Sequence, residues 1–264
     1  WKALHYAARR FYAPVLLSAE DREPGAAASA SDDSPDDEQR RRVRWSLETL
    51  EGEVLGTGER VMGAEAAQQL LGGARPRAEG WKPEVALHVT SDLTGEWQGT
   101  VRWSLETVEG DVLEAGEEAV TVPALSSVRV CELDFADHVS AGPPTTLGTN
   151  ARRDVVLVYE LWQGDERLSV GVVPFVPTKH LELSDPELRT VVRQTEGGFE
   201  IDVTARRLAR FVWLELEGAD AIFSDNYFDL PAGRTVTVTL PALEGWSAER
   251  VRGALRVRSL VDSF

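Results

Sequence analysis

The chain has 264 residues, 42% of them apolar and 27% charged, the balance of a folded protein long enough for two domains of ordinary size. Its 44 acidic against 28 basic side chains leave a formal net charge of −16, a field that repels nucleic acid and anionic membrane surfaces and argues against both as partners. No apolar run approaches the roughly 18 residues that would span a bilayer, and the single cysteine, Cys131, permits no intramolecular disulfide.

Residues 1–12, WKALHYAARRFY, have helical periodicity, with Trp1, Leu4 and Ala8 on one face. Pro14 stops that helix and a strand, Val15 to Ser18, follows. So short a helix is marginal in water, so its aromatic face needs something to pack on. The opening has no starting Met and no leader, so the expectation is a chain that continues upstream. From Glu20 to Gln39 there are eight acids and no large apolar side chain, which reads as a linker.

An internal repeat comes next. Residues 43–59, VRWSLETLEGEVLGTGE, recur as residues 101–117, VRWSLETVEGDVLEAGE. In both, Val, Trp and Leu alternate with Arg, Ser and Glu, and a Glu-Gly turn leads into a second strand. Each copy therefore reads as a β-hairpin with one buried face. The offset of 58 residues is too short for two complete immunoglobulin-like sandwiches of about 100 residues. A duplicated hairpin within one domain fits better.

Between the copies, Glu65 to Leu71 has the pattern of a short helix and Val85 to Val89 that of a strand. Beyond the second copy, Val128 to Phe135 reads as a strand pair, with Cys131 on the face of Arg129 and Leu133. Residues 136–150 are polar and rich in Pro and Gly, the look of a domain boundary. Strand patterns then recur at 155–162, 168–175, 188–194, 199–205, 211–216, 221–223, 235–240 and 255–257, without a convincing helix. The predicted fold class is all-β: two immunoglobulin-like sandwiches preceded by a short N-terminal helix. The predicted divisions are 1–18 for helix and first strand, and 19–83 for an acidic linker and an inserted duplicate hairpin associated with the first sandwich. Residues 84–141 complete that sandwich and 142–264 form the second.

Chemistry is sparse. His5, His88, His138 and His180 have no metal-ligand spacing, and there is no phosphate loop and no nucleophile elbow. No catalytic, metal or cofactor residue is predicted. Trp81 and Trp97 lie near turns and are the candidates for stacking on a sugar ring, with Trp162, Trp213 and Trp246 behind them. The stretch FSDNYFDLPAG, residues 223–233, reads as a structural corner with an Asx-type turn at Asp225-Asn226.

Several segments together resemble one family. WKALHYAARRFYAPVLLS at 1–18, EVALHVTSD at 84–92, VRWSLETVEGDVL at 101–113, VPALSS at 122–127, VPFVPTKHLEL at 173–183, FSDNYFDLPAG at 223–233 and ALRVRSLVD at 254–262 are similar, in that order, to β-mannosidase-like members of glycoside hydrolase family 2. The resemblance implies a retaining exo-glycosidase that releases terminal non-reducing β-D-mannose. It places the two catalytic glutamates on a (β/α)8 barrel upstream of this segment and assigns no catalytic residue or cofactor here. It also makes the opening helix an interdomain buttress, and that barrel and a carbohydrate substrate the expected partners. The family has one copy of the hairpin, so the copy at 43–59 is the departure. Related activities on β-glucosamine, β-galactose or β-glucuronic acid linkages stay open, as do an independent carbohydrate-binding module and an adhesion domain. A cytoplasmic location suits the lone thiol.

Overall fold

The structure is a computed structural model; it describes residues 6–7, 9–10, 13–21, 40–48, 54–63, 82–140 and 150–263. Two compact units result, residues 1–21 with 83–264, and residues 22–82.

The first unit holds two β-sandwiches. In the first, β1 (Val15–Asp21), β4 (Glu84–Ser91) and β7 (Ser126–Asp134) form a three-stranded sheet, order β1-β4-β7. It opposes a four-stranded sheet, order β11-β10-β5-β6, made of β5 (Trp97–Thr107), β6 (Val112–Val122), β10 (Val155–Gln163) and β11 (Glu166–Pro174). The period of two puts Val101 and Leu105 on the inner face, opposite Leu157 and Leu161 of β10, and all four are fully buried. Trp103 meets Phe135 edge-on at 5.9 Å, and Phe135 meets Phe175 at the same distance. Short β8 (Val139–Ser140) and β9 (Asn150–Ala151) pair in parallel.

The second sandwich opposes β12 (Arg189–Thr195), β13 (Gly198–Thr204) and β16 (Thr235–Pro241) to β15 (Phe228–Leu230), β14 (Ala209–Leu216) and β17 (Leu255–Arg258). Ile201, Val203, Val212, Leu214, Leu230, Val238 and Leu240 make its core. A helix, Ala248–Ala254, adds Val251 to that core and is capped by Ser247, whose hydroxyl accepts the Arg250 amide.

Several expectations change. Residues 136–150 are not the domain boundary: β10 pairs with β5 and β11 with β10, so the first sandwich runs on through Pro174. The strand pairing that closes a sheet outweighs the local Pro and Gly signal, which marks only a connection between strands. Val128 to Asp134 belongs to one strand, and a register shift against β4 between Leu87 and His88 separates Cys131 from Arg129. Cys131 thus lies opposite core Leu87, while Arg129 lies opposite His88. Residues 221–223 form no strand; β15 begins at Phe228. The helix at Ala248–Ala254 departs from the expectation of strands alone, because seven residues give barely two turns of periodicity to read. Of the predicted N-terminal helix, Tyr6, Ala7, Arg9 and Arg10 are helical, and its other positions lie outside the described residues. So does the predicted helix at 65–71.

In the second unit, β2 (Arg40–Glu48) and β3 (Val54–Gly63) form an antiparallel pair. Its register repeats that of β5 and β6 position for position. Arg44 pairs with Glu59 as Arg102 pairs with Glu117, Trp45 with Gly58 as Trp103 with Gly116, and Leu47/Glu48 shift register as Leu105/Glu106 do. The duplicated sequence folds as a duplicated hairpin.

Candidate functional site

The outer face of the four-stranded sheet carries Arg102, Ser104 and Glu106 of β5 with Val156, Val158 and Glu160 of β10. The second sandwich packs on this face. Val156, Val158, Val108, Val176, Leu181 and Leu208 form a shared apolar cluster, and the Leu208 amide donates to the Val108 carbonyl at 2.9 Å. At the hairpin tip Gly110 has φ +104, and a Cβ there would stand 2.6 Å from the Ala232 Cβ, so only glycine permits this approach.

Beside the apolar cluster runs a polar network. Glu106 is 1% exposed and binds Arg234, which donates to both of its carboxylate oxygens, one at 2.8 Å. Arg234 also donates to the Ala232 carbonyl at 3.0 Å and to the Ser104 hydroxyl at 3.2 Å, while Ser104 donates to Glu106. Glu160 accepts from Trp162 Nε1 at 3.1 Å and from Arg167 at 3.2 Å. At the tip, Glu109 accepts from Ser184 at 2.6 Å and from Arg207. The Ser184 hydrogen bond and the Arg207 charge hold the Glu109 carboxyl below its usual range, against a smaller burial effect. These carboxylates are therefore structural counterions, committed to arginines, and not a free acid and base.

An open trough of about 430 Å³ lies on the same face, lined by Arg102, Ser104, Ala115, Glu117, Glu160 and Arg234 among others. It is the cavity the sequence did not disclose, because Arg234 comes from the other sandwich and no spacing announces it.

A second constellation joins the N-terminal segment to the corner at 223–233. Arg10 donates to Asp225 at 2.6 Å and to the carbonyls of Asn226 and Tyr227 at 3.2 and 3.1 Å, and Arg9 donates to the Ser224 carbonyl at 2.6 Å. Tyr6 lies 6.3 Å from the Tyr227 ring. Asn226, buried, accepts the Leu214 amide at 2.7 Å and donates to the Leu214 carbonyl at 2.9 Å, so its side chain stands in for a strand partner of β14.

The predicted sugar contacts fare differently. Trp97 is 4% exposed at the start of β5, with no ring face open to a ligand; the apolar face of the strand, not the adjoining turn, claims it. Trp81 lies outside the described residues. Trp246 is covered by the Arg250 guanidinium at 4.2 Å, and Trp162 by that of Arg102 at 4.6 Å. Among the described residues no group of three or more His, Cys, Asp or Glu could hold a metal ion, and His88 and His138 lie beside Glu20 and Glu114 at 3.5 and 3.2 Å.

Residues 84–180 match the model of a mannosidase Ig/CBM-like domain, and residues 183–263 that of an Ig-fold domain of mannosidases. No curated protein matches the chain. Among solved structures, the β-D-mannosidase of Dictyoglomus thermophilum aligns over 67% of this chain and 20% of its own, with 19% identity and a TM-score of 0.57. The exo-chitosanase CsxA of Amycolatopsis orientalis aligns over 66% of this chain and 24% of its own, with 13% identity and a TM-score of 0.41. The chain thus spans about a fifth of the mannosidase it matches. Its two sandwiches match, in succession, two immunoglobulin-like domain models associated with mannosidases, and the mannosidase structure shares their fold.

Proposed function

We propose that this chain is the accessory end of an exo-β-D-mannosidase that releases terminal non-reducing β-mannose, and that it supplies no catalytic residue. The observation that carries the reading is the pair of mannosidase-type domain matches, 84–180 and 183–263, on two sandwiches locked by the Arg234–Glu106 and Arg207–Glu109 contacts. Such a lock fixes the angle between the sandwiches, which suits a rigid prop for a neighbouring domain. The partners in this reading are an upstream (β/α)8 barrel of the same polypeptide and, through it, the carbohydrate substrate. No cofactor is required for a carboxylate-driven retaining hydrolysis. A cytoplasmic location accords with the free thiol of Cys131.

The test is the coding sequence upstream of Trp1 and the activity of its full product. The expected result is a barrel with a glutamate pair, hydrolysis of aryl β-mannosides in preference to aryl β-glucosaminides, β-galactosides and β-glucuronides, and no turnover by residues 1–264 alone. An upstream sequence without a barrel, or turnover by the chain itself, would overturn it.

A further inference from the structure

We propose that the trough between β5, β6 and Arg234 is a binding site for a neutral saccharide. Its volume, about 430 Å³, is that of a small-ligand site. Its floor is cut low by small side chains, Ser104 and Ala115, which face each other across β5 and β6. The exposed Val112 adds apolar surface for the C–H face of a sugar ring.

The charges on its walls select the ligand class. Arg102 pairs with Glu117 at 3.1 Å, Glu160 with Arg167, and Arg234 with the buried Glu106. A phosphate therefore finds no uncommitted cation and an ammonium no uncommitted carboxylate among these wall residues. Hydrogen-bonding capacity nonetheless remains. Arg102 holds Glu117 through Nε and its side chain is half exposed, so its terminal nitrogens keep donor capacity, and the carboxylates of Glu117 and Glu160 keep acceptor sites beyond their arginine contacts. A hydroxyl accepts from a guanidinium and donates to a carboxylate at once, so adjacent hydroxyls on an uncharged ring satisfy such a wall where a single-sign ion does not. The buried end of the trough is pre-organised: Ser104 and Glu106 are held by Arg234, and Trp162 Nε1 fixes Glu160. Stacking of Arg102 on Trp162 restricts the guanidinium.

The existence of the site does not depend on the parent activity proposed above; the choice of mannose units as probe does rest on it. Calorimetric titration of residues 1–264 with β-1,4-mannotriose, with a chitosan trimer (cationic) and with a galacturonate trimer (anionic) tests the assignment. Saturable binding of the neutral trimer alone is expected. Ala115→Trp, a change at an exposed position that fills the trough, is expected to abolish it without moving the unfolding midpoint, and Glu117→Gln to weaken it at least about tenfold. No saturable heat with mannotriose, undiminished binding by Ala115→Trp, or tighter binding of either charged trimer would overturn the proposal. These outcomes are read without reference to what is encoded upstream, so the site and the parent activity fail separately.

Discussion

Arg10 and Asp225 meet at 2.6 Å across 215 residues of sequence, and this pair fastens the N-terminal segment to the last sandwich. Both side chains are about a third exposed, so the pair adds only modestly to stability, on the scale of about 1 kcal/mol. Burial pushes the Asp225 carboxyl above its usual range, with Arg10 pulling the other way. A raised folded-state pKa means that the contribution of Asp225 is largest below the ordinary value of 3.8 and is lost as pH rises through the folded value. Asp225→Asn, which keeps an acceptor for Arg10 and the Asn226 amide, is expected to lie within about 1 kcal/mol of the natural chain at pH 7. The advantage of the natural chain over Asp225→Asn should then grow on acidification. Urea unfolding of both proteins at neutral and acid pH checks the sign.

Asn226 gives a sharper outcome. Its side chain serves both polar groups of Leu214, in β14, where both residues are buried. Asn226→Ala orphans a buried donor and a buried acceptor, and a loss of about 3 kcal/mol is expected. Asn226→Asp retains the acceptor but sets a buried carboxylate oxygen against the Leu214 carbonyl, and should cost at least as much as Asn226→Ala at pH 7. Equilibrium denaturation midpoints rank the three proteins.

The lock between the sandwiches should respond to loss of one partner far more than to loss of both. Arg234→Ala leaves Glu106 charged and buried, at a cost of about 3 to 5 kcal/mol. Pairing it with Glu106→Leu should recover most of that loss. In the single variant, calorimetry is expected to resolve two unfolding transitions, since only the Arg207–Glu109 pair and the apolar cluster then join the sandwiches. A single sharp transition in Arg234→Ala would show that the apolar cluster around Leu208 and the Arg207–Glu109 pair suffice to couple them.

Glu109 titrates in the opposite sense to Asp225. Its depressed folded pKa means that its contribution is present above the ordinary value of 4.5 and is lost as pH falls through the lower folded value. The side chain is half exposed, so the effect is under about 1 kcal/mol. Glu109→Gln should flatten the acid limb of the stability profile without changing the value near pH 7 by more than that amount. Thermal midpoints across roughly pH 3 to 7, the interval in which carboxylates titrate, report it.

These sites were unequally legible in the sequence. Period-two alternation located β4, β5, β10 and β13 within a few residues, because each buries most of one face. It said nothing about which strands pair, and so the Pro and Gly run at 136–150 passed for a boundary that strand pairing moves beyond Pro174. The corner at 223–233 stood out for its density of Asn, Asp and aromatics, but its purpose needed Arg9 and Arg10, which the chain brings from its other end. The trough depends in the same way on Arg234, placed by docking of one sandwich on another. Solvent-facing tryptophans could not be told from buried ones by nearness to a turn, as Trp97 demonstrates.

The two hairpin copies differ where it matters most for a place in the sheet. Gly99 of β5 lies under the Trp97 ring, and a Cβ there would stand 2.5 Å from the Trp162 carbonyl oxygen of the neighbouring strand. Backbone on one side and a buried ring on the other leave no room for relaxation. The equivalent register position in the first copy is Arg41, which pairs with Met62 as Gly99 pairs with Val120. Gly116, which makes room for Trp103, has its counterpart in Gly58, so the copies share one requirement of the sheet and differ in the other. Gly99→Ala is therefore expected to destabilise the first sandwich by about 2 kcal/mol or more, and Gly99→Arg, which installs the side chain of the first copy, to prevent β5 from pairing with β10 at Trp162. Loss of the near-ultraviolet circular dichroism of Trp97 together with a lowered unfolding midpoint would report this. Natural stability in the Gly99→Arg variant would mean that β5 tolerates the first copy's sequence in this sheet, and that the register alone does not distinguish the two hairpins.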